Sequence, residues 1–219
     1  MGTQAFFNEE YVQAIEKRKD EDKAKKLQAI IKPFVLRRTK EQVAEELPAK
    51  TEQIFYCDMS EDQAAYYEKT KSAYRNDLLS SMDDGTYAKK QVQLLQGLTA
   101  LRQLANHPKM IDEDYKSDSG KFENVIHTLD NVLKGGHKVL IFSQFVKHLS
   151  IFKQYFEEEH IPFSYLDGST KNRGEIVSEF QEETNIKVFL ISIKAGGVGL
   201  NLTQADYVFL SLTHGGTQQ

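Results

Sequence analysis

Short apolar segments alternate with amphipathic helical segments in the second half of the chain, and this alternation restricts the fold more than any other feature. Val139–Phe142 and Val188–Ser192 are almost wholly apolar, which is typical of strands buried on both faces of a parallel sheet. We therefore predict an α/β fold, in which helices cover a parallel sheet. The other predicted elements are helices over 120–134, 145–158 and 172–181 and strands over 162–166 and 207–210.

The first half of the chain has a different, mostly helical pattern. The predicted elements are a helix over Asn8–Ile31, a strand over Thr51–Cys57, a helix from Ser60 to Met82, a turn at Asp83–Gly85 and a helix over Tyr87–Asn106. Ser60 and Gln63 have the spacing of a capping box, and Pro108 ends the last helix. We therefore predict a helical segment over residues 1–118 and an α/β domain over residues 119–219.

Composition narrows the class of protein without identifying it. The net charge of −4 gives no overall basic signature for nucleic acid, although a local cationic stripe would suffice for phosphates. The lone Cys57 fits a reducing compartment. The sequence shows neither a membrane-length apolar run nor a signal segment, so we expect no membrane partner. We expect a cytoplasmic, nucleoid-associated bacterial protein, or a nuclear one if the source is eukaryotic.

Three polar or glycine-rich segments follow predicted strands, where parallel α/β sheets bind their ligands. They are Ser143-Gln144, Asp167–Thr170 and Ser192–Asn201. In the third, glycines allow close backbone approach and exposed N–H groups, and Lys194 adds a cation, so the predicted ligand is a phosphate of a nucleotide or a nucleic acid. Ser169 and Thr170 could donate hydrogen bonds to a ligand or cap the next helix, which is the commoner use of such hydroxyls. A lone glycine-rich turn is more often a tight connection than a phosphate site.

Several kinds of catalytic site are missing from the sequence. These 219 residues contain no G-x-x-x-x-G-K-[ST] loop to hold the β- and γ-phosphates of ATP. They show no acidic pair at a strand end for magnesium, no histidine or cysteine set with metal-ligand spacing, and no nucleophile beside a plausible base. We therefore predict no catalytic and no metal-binding residues in this chain.

Five segments, in this order, resemble motifs of Swi/Snf-type DNA-dependent ATPases, a branch of the superfamily-two helicases. They are Ile31–Lys40 followed by Glu46–Lys50, Leu101–Pro108 with Ala105 where cysteine is usual, Lys138–Phe145, Leu166–Thr170 with Arg173 and Phe180, and Ser192–Leu202. The chain resembles the C-terminal half of such a motor. The resemblance implies two RecA-like lobes with ATP between them and double-stranded DNA across both.

The resemblance also implies roles for particular residues. The implied DNA-binding residues are Ser143, Gln144, Gly168, Ser169, Thr170, Arg173, Ser192, Lys194, Gly196 and Gly197. The implied ATP-cleft residues are Gly199, Leu200 and Asn201. Arg37 and Arg38 belong either to the segment that joins the lobes or to a basic turn that packs on its own acids. The intact parent would use ATP and Mg²⁺, whereas this half would bind neither and would need the first lobe for activity.

The likeness to the family stops after Leu210. A tryptophan-rich segment and an arginine-bearing motif would be expected next, and those arginines stabilise charge on the γ-phosphate. Instead the chain reads Thr213–Gln219, which one spelling of the codons for Asp-Pro-Trp-Trp-Asn-Pro-Ala-Val-Glu gives, before a stop, when it is read from its second base. We expect such a frame slip; a divergent tail or vector-derived residues are the alternatives. We therefore expect a C-terminally truncated lobe that self-associates through exposed apolar surface. Sequencing the gene across Leu212 tests the frame slip.

Two other functions remain open. A nucleic-acid-binding module without a motor parent would use the same phosphate-binding segments, and an upstream phosphate-binding loop in the reading frame would argue against it. A small-ligand α/β enzyme, such as a nucleotide-sugar transferase, would use the glycine-rich segment alone. That enzyme would bind a nucleotide sugar saturably and be indifferent to DNA.

Overall fold

The computed structural model describes residues 3–36, 50–80, 87–197 and 199–211. The chain divides into two compact units, Met1–Ile54 and Phe55–Gln219. Several features of the sequence lie outside the described residues: Arg37 and Arg38, the turn at 83–85 and the tail from Thr213. The predicted domain boundary after residue 118 stays a prediction.

The first unit is helical but contains a break that the sequence pattern did not predict. Its elements are α1 (Gln4–Phe7), a π-helix (Asn8–Lys17), α2 (Glu21–Ile31) and a 3₁₀ turn (Lys32–Phe34). Lys19 adopts a left-handed φ of 52°, and the Asp20 carboxylate accepts hydrogen bonds from the backbone N–H groups of Asp22 and Lys23. The prediction of one continuous helix is therefore wrong, because Asp20 starts a new helix as its N-cap.

The predicted strand over Thr51–Cys57 is also wrong. Residues 50–60 form neither helix nor strand, and Ile54, Phe55 and Tyr56 are 75%, 66% and 77% exposed. A strand needs a neighbour to pair its N–H and C=O groups, and no described strand lies beside this segment. The apolar residues gave the pattern of a strand without the partner that a strand requires.

A helical hairpin opens the second unit. Its helices are α3 (Glu61–Ser80) and α4 (Tyr87–Asn106), and a 3₁₀ turn at Pro108–Met110 follows α4. The Ser60 hydroxyl accepts the Gln63 N–H at 3.4 Å, which is half of the predicted capping box. The Gln63 side chain does not return to Ser60. It is buried, donates from Nε2 to the Leu104 carbonyl at 2.8 Å and accepts the Gly120 N–H at 3.3 Å.

The α/β part of the second unit is built on one parallel sheet. Its strands are β1 (Val139–Ser143), β2 (Phe163–Leu166), β3 (Val188–Ser192) and β4 (Tyr207–Ser211), in the order β2-β3-β1-β4. Its helices are α5 (Gly120–Lys134), α6 (Val146–Glu158), α7 (Arg173–Glu182) and the single turn α8 (Ile193–Gly196). All three strand pairings are parallel, so the predicted α/β class is confirmed.

Helices cover both faces of this sheet, as the apolar strands predicted. Side chains of a strand point alternately to opposite faces, so β1 and β3 each supply two cores. The core on one face joins the sheet to α5 and α6. Its strand residues are Val139, Ile141, Val188 and Leu190, and its helix residues are Phe122, Leu129, Leu149, Phe152 and Phe156. Packed on the other face are Leu140, Phe189, Ile191, Leu166, Phe180, Ile186 and Ala195. These two cores hold the carboxyl ends of the strands at one edge.

Apolar side chains of β4 are poorly covered among the described residues. Val208 and Leu210 are 55% and 59% exposed, and β4 pairs only with β1 within the described sheet. The predicted self-association through such surface stays a prediction. No helix of the described residues is both long and apolar enough to span a membrane.

Candidate nucleic-acid interface

The carboxyl ends of the strands are level with one another, which brings the predicted ligand-binding segments to one edge. Ser143 at the end of β1 is in register with Ser192 of β3 and with Ser211 of β4. Leu166 at the end of β2 is in register with Ile191. The segments after β1, β2 and β3 therefore leave the sheet side by side, at the edge where parallel α/β proteins bind ligands.

The two side chains that follow β1 are held within the protein. Ser143 is buried, and its Oγ accepts the Phe145 N–H at 3.2 Å and lies 3.4 Å from Nδ1 of His148. The Gln144 Oε1 accepts a hydrogen bond of 2.8 Å from Nη2 of Arg102, on α4. The C-terminal turn of the helical hairpin thus fixes the first segment of the edge.

The segment after β2 closes on a carboxylate. Asp167 Oδ1 accepts the Ser169 N–H at 2.8 Å and the Ser169 hydroxyl at 2.6 Å, and Thr170 Oγ1 accepts the Asp167 N–H at 3.0 Å. The Ser169 hydroxyl bond, followed by the smaller contributions of its N–H, Tyr165 and Thr170, lowers the pKa of Asp167 below its ordinary value. Gly168 is exposed, with open space around its Cα. Both hydroxyls therefore serve the turn, while the backbone at Gly168 stays accessible.

The glycine-rich segment after β3 is a capped helical turn rather than an open loop. The Ser192 hydroxyl accepts the Ala195 N–H at 3.3 Å and so caps α8. A Cβ at Gly196 would lie 2.7 Å from Cε1 of Phe142, so glycine is required there for packing against β1. Lys194 lies between these two residues in the sequence and is exposed.

The three predicted ATP-cleft residues lie in the segment between α8 and β4. Gly199 adopts φ +55°, a left-handed conformation that glycine accommodates best. Leu200 packs against the core that contains Leu140 and Phe189, whereas Asn201 is exposed. Leu200 therefore anchors this segment, with the exposed Asn201 next to it.

Models of two protein families match this chain. The SNF2-related domain matches residues 1–110, and the helicase conserved C-terminal domain matches residues 120–218. The chain belongs to the SNF2 family of ATP-dependent helicases. The predicted resemblance is confirmed.

Relatives and solved structures of the SNF2 family agree with this assignment. The probable ATP-dependent DNA helicase CHR12 of Arabidopsis thaliana is 36% identical over 84% of this chain and 17% of its own length. The SWI2/SNF2 ATPase core of Sulfolobus solfataricus in complex with dsDNA is 32% identical, with a TM-score of 0.63, over 95% of this chain and 45% of that one. The C-terminal domain of the Sulfolobus solfataricus ATPase is 34% identical, with a TM-score of 0.60, over 71% and 69%.

The SNF2 chain described here spans about one fifth of the length of the curated relatives it matches. Its structural neighbours are SNF2 ATPase cores, so the parallel sheet is the RecA-like fold that the resemblance implied. The roles of the individual DNA-binding and ATP-cleft residues stay predictions.

Arg173 links the segment that follows β2 to the segment that follows β3. The sequence predicted only that these two SNF2 segments lie side by side. Arg173 is the first residue of α7, and its Nη2 donates a hydrogen bond to the carbonyl of Ala195 in α8. The family resemblance implied that Arg173 binds DNA. The geometry directs at least one of its donors to the protein backbone instead.

Two side chains at this edge escaped the sequence reasoning. Arg102 was noted only as part of a motif, yet it holds Gln144 and lies 5.8 Å from the centre of the Phe145 ring. His148 is buried, with Nδ1 within 3.4 Å of the hydroxyls of Ser143 and Ser211. The sequence could have indicated that His148 is buried, because it lies four residues before Phe152 and so on the same, inward face of α6.

Burial controls the charge of that histidine. The pKa of His148 is lowered to about 3, first by burial and then by charge repulsion from Lys121 and from His107 in its protonated form. His148 is therefore neutral at physiological pH, so it serves as a hydrogen-bonding group rather than as a cation for phosphate. Within the described residues, no three His, Cys, Asp or Glu side chains are grouped to hold a metal ion.

Proposed function

We propose that this chain supplies the grip on DNA phosphates, and part of the ATP cleft, of an ATP-dependent double-stranded DNA translocase. The observation that carries this proposal is the setting of Lys194. It is an exposed cation on a helical turn that Ser192 caps, that Arg173 binds at the Ala195 carbonyl, and that Gly196 seats against the sheet. A cation that extends from an anchored backbone at the ligand-binding edge suits a backbone phosphate.

The neighbouring segments support a phosphate backbone as the ligand. Gly168 and Gly197 are exposed, so a phosphate could approach the main chain at both positions. The double-stranded DNA complex of the Sulfolobus solfataricus relative supports a duplex as the form of nucleic acid. In this proposal the edge reads no bases, because contacts to phosphates position a protein without specifying a sequence.

A short DNA duplex titrated with this chain tests the grip. We expect weak binding at low salt that fades as salt rises, because cations that neutralise phosphates release counterions. Lys194→Ala should weaken binding and reduce the slope of log K against log salt by about one, the share of one phosphate contact. Fluorescence anisotropy at several salt concentrations measures both quantities.

Lys134→Ala is the matched control for this titration. Lys134 is also exposed, but it ends α5 just before β1 and so lies at the opposite edge of the sheet, paired with Asp130. Its loss should leave the affinity and the salt slope unchanged. Equal effects of the two substitutions would contradict the proposed grip, and so would saturable binding of a nucleotide sugar with indifference to DNA.

The proposed contribution to the ATP cleft is the segment Gly199–Asn201. These 219 residues contain no phosphate-binding G-x-x-x-x-G-K-[ST] loop, so in this proposal the nucleotide is held mainly by a first motor lobe. Where Mg²⁺-ATP is bound in the assembled motor, it supplies the phosphoryl chemistry. The role proposed for this chain is to present the exposed Asn201 to the nucleotide from a segment anchored by Leu200.

We expect this chain alone to release no phosphate from ATP, with or without duplex DNA. A colorimetric phosphate assay at micromolar protein measures this, with a complete SNF2 motor as the positive control. DNA-stimulated hydrolysis by this chain that disappears in Asn201→Ala would contradict the proposed division of labour.

A further inference from the structure

Arg173 and Lys194 are both cations at the carboxyl edge, yet the structure gives them different surroundings. Lys194 is exposed, whereas Arg173 is half-buried at the start of α7. The Arg173 guanidinium donates through Nη2 to the Ala195 carbonyl, the residue that directly follows Lys194. The two cations are thus linked through one residue, Ala195.

The Ala195 residue is held on every side. Its N–H donates to the Ser192 hydroxyl, its methyl group is buried in the core with Leu166, and its carbonyl accepts from Arg173. The carbonyls of a single helical turn lack partners within the helix, so a side-chain donor is needed to satisfy them. Arg173 supplies that donor from a different element of the fold.

We propose that Arg173 is a positioning residue: it holds α8 through the Ala195 carbonyl and thereby places Lys194 against a DNA phosphate, rather than binding a phosphate itself. This inference rests on the proposed DNA grip. It replaces the DNA-binding role that the resemblance implied for Arg173. In this inference Lys194 contacts DNA, and Arg173 holds the helical turn that carries Lys194. Arg173 and Lys194 then act as a unit, and removing both should cost no more than removing Lys194.

The two roles differ in how substitutions combine. If Arg173 contacts a phosphate, Arg173→Gln and Lys194→Ala remove separate contacts, and their effects on affinity and on salt slope add. If Arg173 positions Lys194, each single change abolishes the same contact. Glutamine is shorter than arginine and uncharged, so it keeps a polar side chain without reaching the Ala195 carbonyl.

Duplex binding by the full 219-residue chain, measured by anisotropy over a range of salt concentrations, tests the coupling. We expect Arg173→Gln to weaken binding about as much as Lys194→Ala and to reduce the salt slope by about one. The double variant should match Lys194→Ala in both quantities. Losses that add, or wild-type affinity in Arg173→Gln, would overturn the positioning role.

Lys171→Gln is the control for charge alone. Lys171 is exposed in the same segment, two residues before Arg173, and its substitution removes the same charge. Its effect should add to that of Lys194→Ala. If Lys171→Gln is as non-additive as Arg173→Gln, the coupling reflects general electrostatics and the positioning role is overturned.

Tryptic cleavage after Lys194 gives a reading that needs no DNA. The turn α8, held by Arg173, should resist trypsin in the wild-type chain and in Lys171→Gln. In Arg173→Gln it should be cut several times faster, at an unchanged melting temperature. An unchanged cleavage rate in Arg173→Gln would overturn the proposal that Arg173 holds α8. If the wild-type chain binds no duplex, the proposed grip fails by itself, while the trypsin comparison still decides whether Arg173 holds α8.

Discussion

Replacing Gly120 by alanine is expected to destabilise the second unit by about 3 kcal/mol, the upper end of the range for overpacking. An added Cβ would lie 1.9 Å from the carbonyl oxygen of Asp58 and 3.1 Å from its carbonyl carbon. Both are backbone atoms, so no side-chain rotation relieves the clash. The shift would also strain the hydrogen bond of 3.3 Å from the Gly120 N–H to Gln63.

Gly174→Ala is the matched substitution for this experiment. Gly174 is the second residue of α7, and nothing lies within 4 Å of its virtual Cβ. Alanine there should stabilise the fold by about 0.4–1 kcal/mol, because it restricts the unfolded chain and favours the helix. The free energy of unfolding in urea measures both variants. Similar small effects of the two substitutions would refute the role assigned to Gly120.

The second large effect expected is a loss of stability in mild acid. The pKa of His107 is lowered to about 4, mainly by burial and then by Lys109, and that of His148 is lowered to about 3. Their ordinary value is 6.5, so below pH 6.5 the unfolded chain takes up protons that the folded chain does not. Stability is therefore complete above pH 6.5 and falls as the pH drops towards 4.

Each neutral buried histidine contributes a slope of at most about 1.4 kcal/mol per pH unit within that window. The stability that two such residues lose across this window is a large part of the unfolding free energy of an ordinary domain, which is about 5–15 kcal/mol. The lowered pKa of Asp167 acts only below its ordinary value of 3.8, outside this window. The free energy of unfolding in urea at pH 7, 6, 5 and 4.5 gives the slope.

His148→Gln should remove the share of one histidine from that slope while leaving a polar group beside Ser143. His127→Gln is the control, because His127 is exposed on α5. A free energy of unfolding that stays constant from pH 7 to pH 4.5 would rule out this account. An unchanged slope in His148→Gln would show that other groups take up the protons.

Periodicity along the chain predicted the sheet and its helices because their cause is local. Val139–Ser143 and Val188–Ser192 are apolar at every position except the terminal serine, which is typical of a strand with two covered faces. The same reasoning failed at Thr51–Cys57, where the apolar residues have no described partner strand. It also passed over Asp20, a capping residue inside a helical pattern.

The contacts that shape the candidate interface were not predictable in this way. Arg102 is separated by 42 residues from Gln144, and Arg173 by 22 residues from Ala195. The sequence indicated which segments meet at the sheet edge, because strand ends meet there in any parallel sheet. It contained no local signal for which side chain supports which, since such pairs are set by the packing of whole elements.

The hydrogen bonds of the Gln63 side chain affect how the second unit unfolds. Its amide bonds the Leu104 carbonyl at the end of α4 and the Gly120 N–H at the start of α5, so one buried group joins three helices. A fluctuation that detaches α3 must leave both backbone groups without their partner in a dry environment, which costs far more than fraying of an exposed end. The hairpin and the sheet should therefore open together, as one cooperative folding unit rather than two.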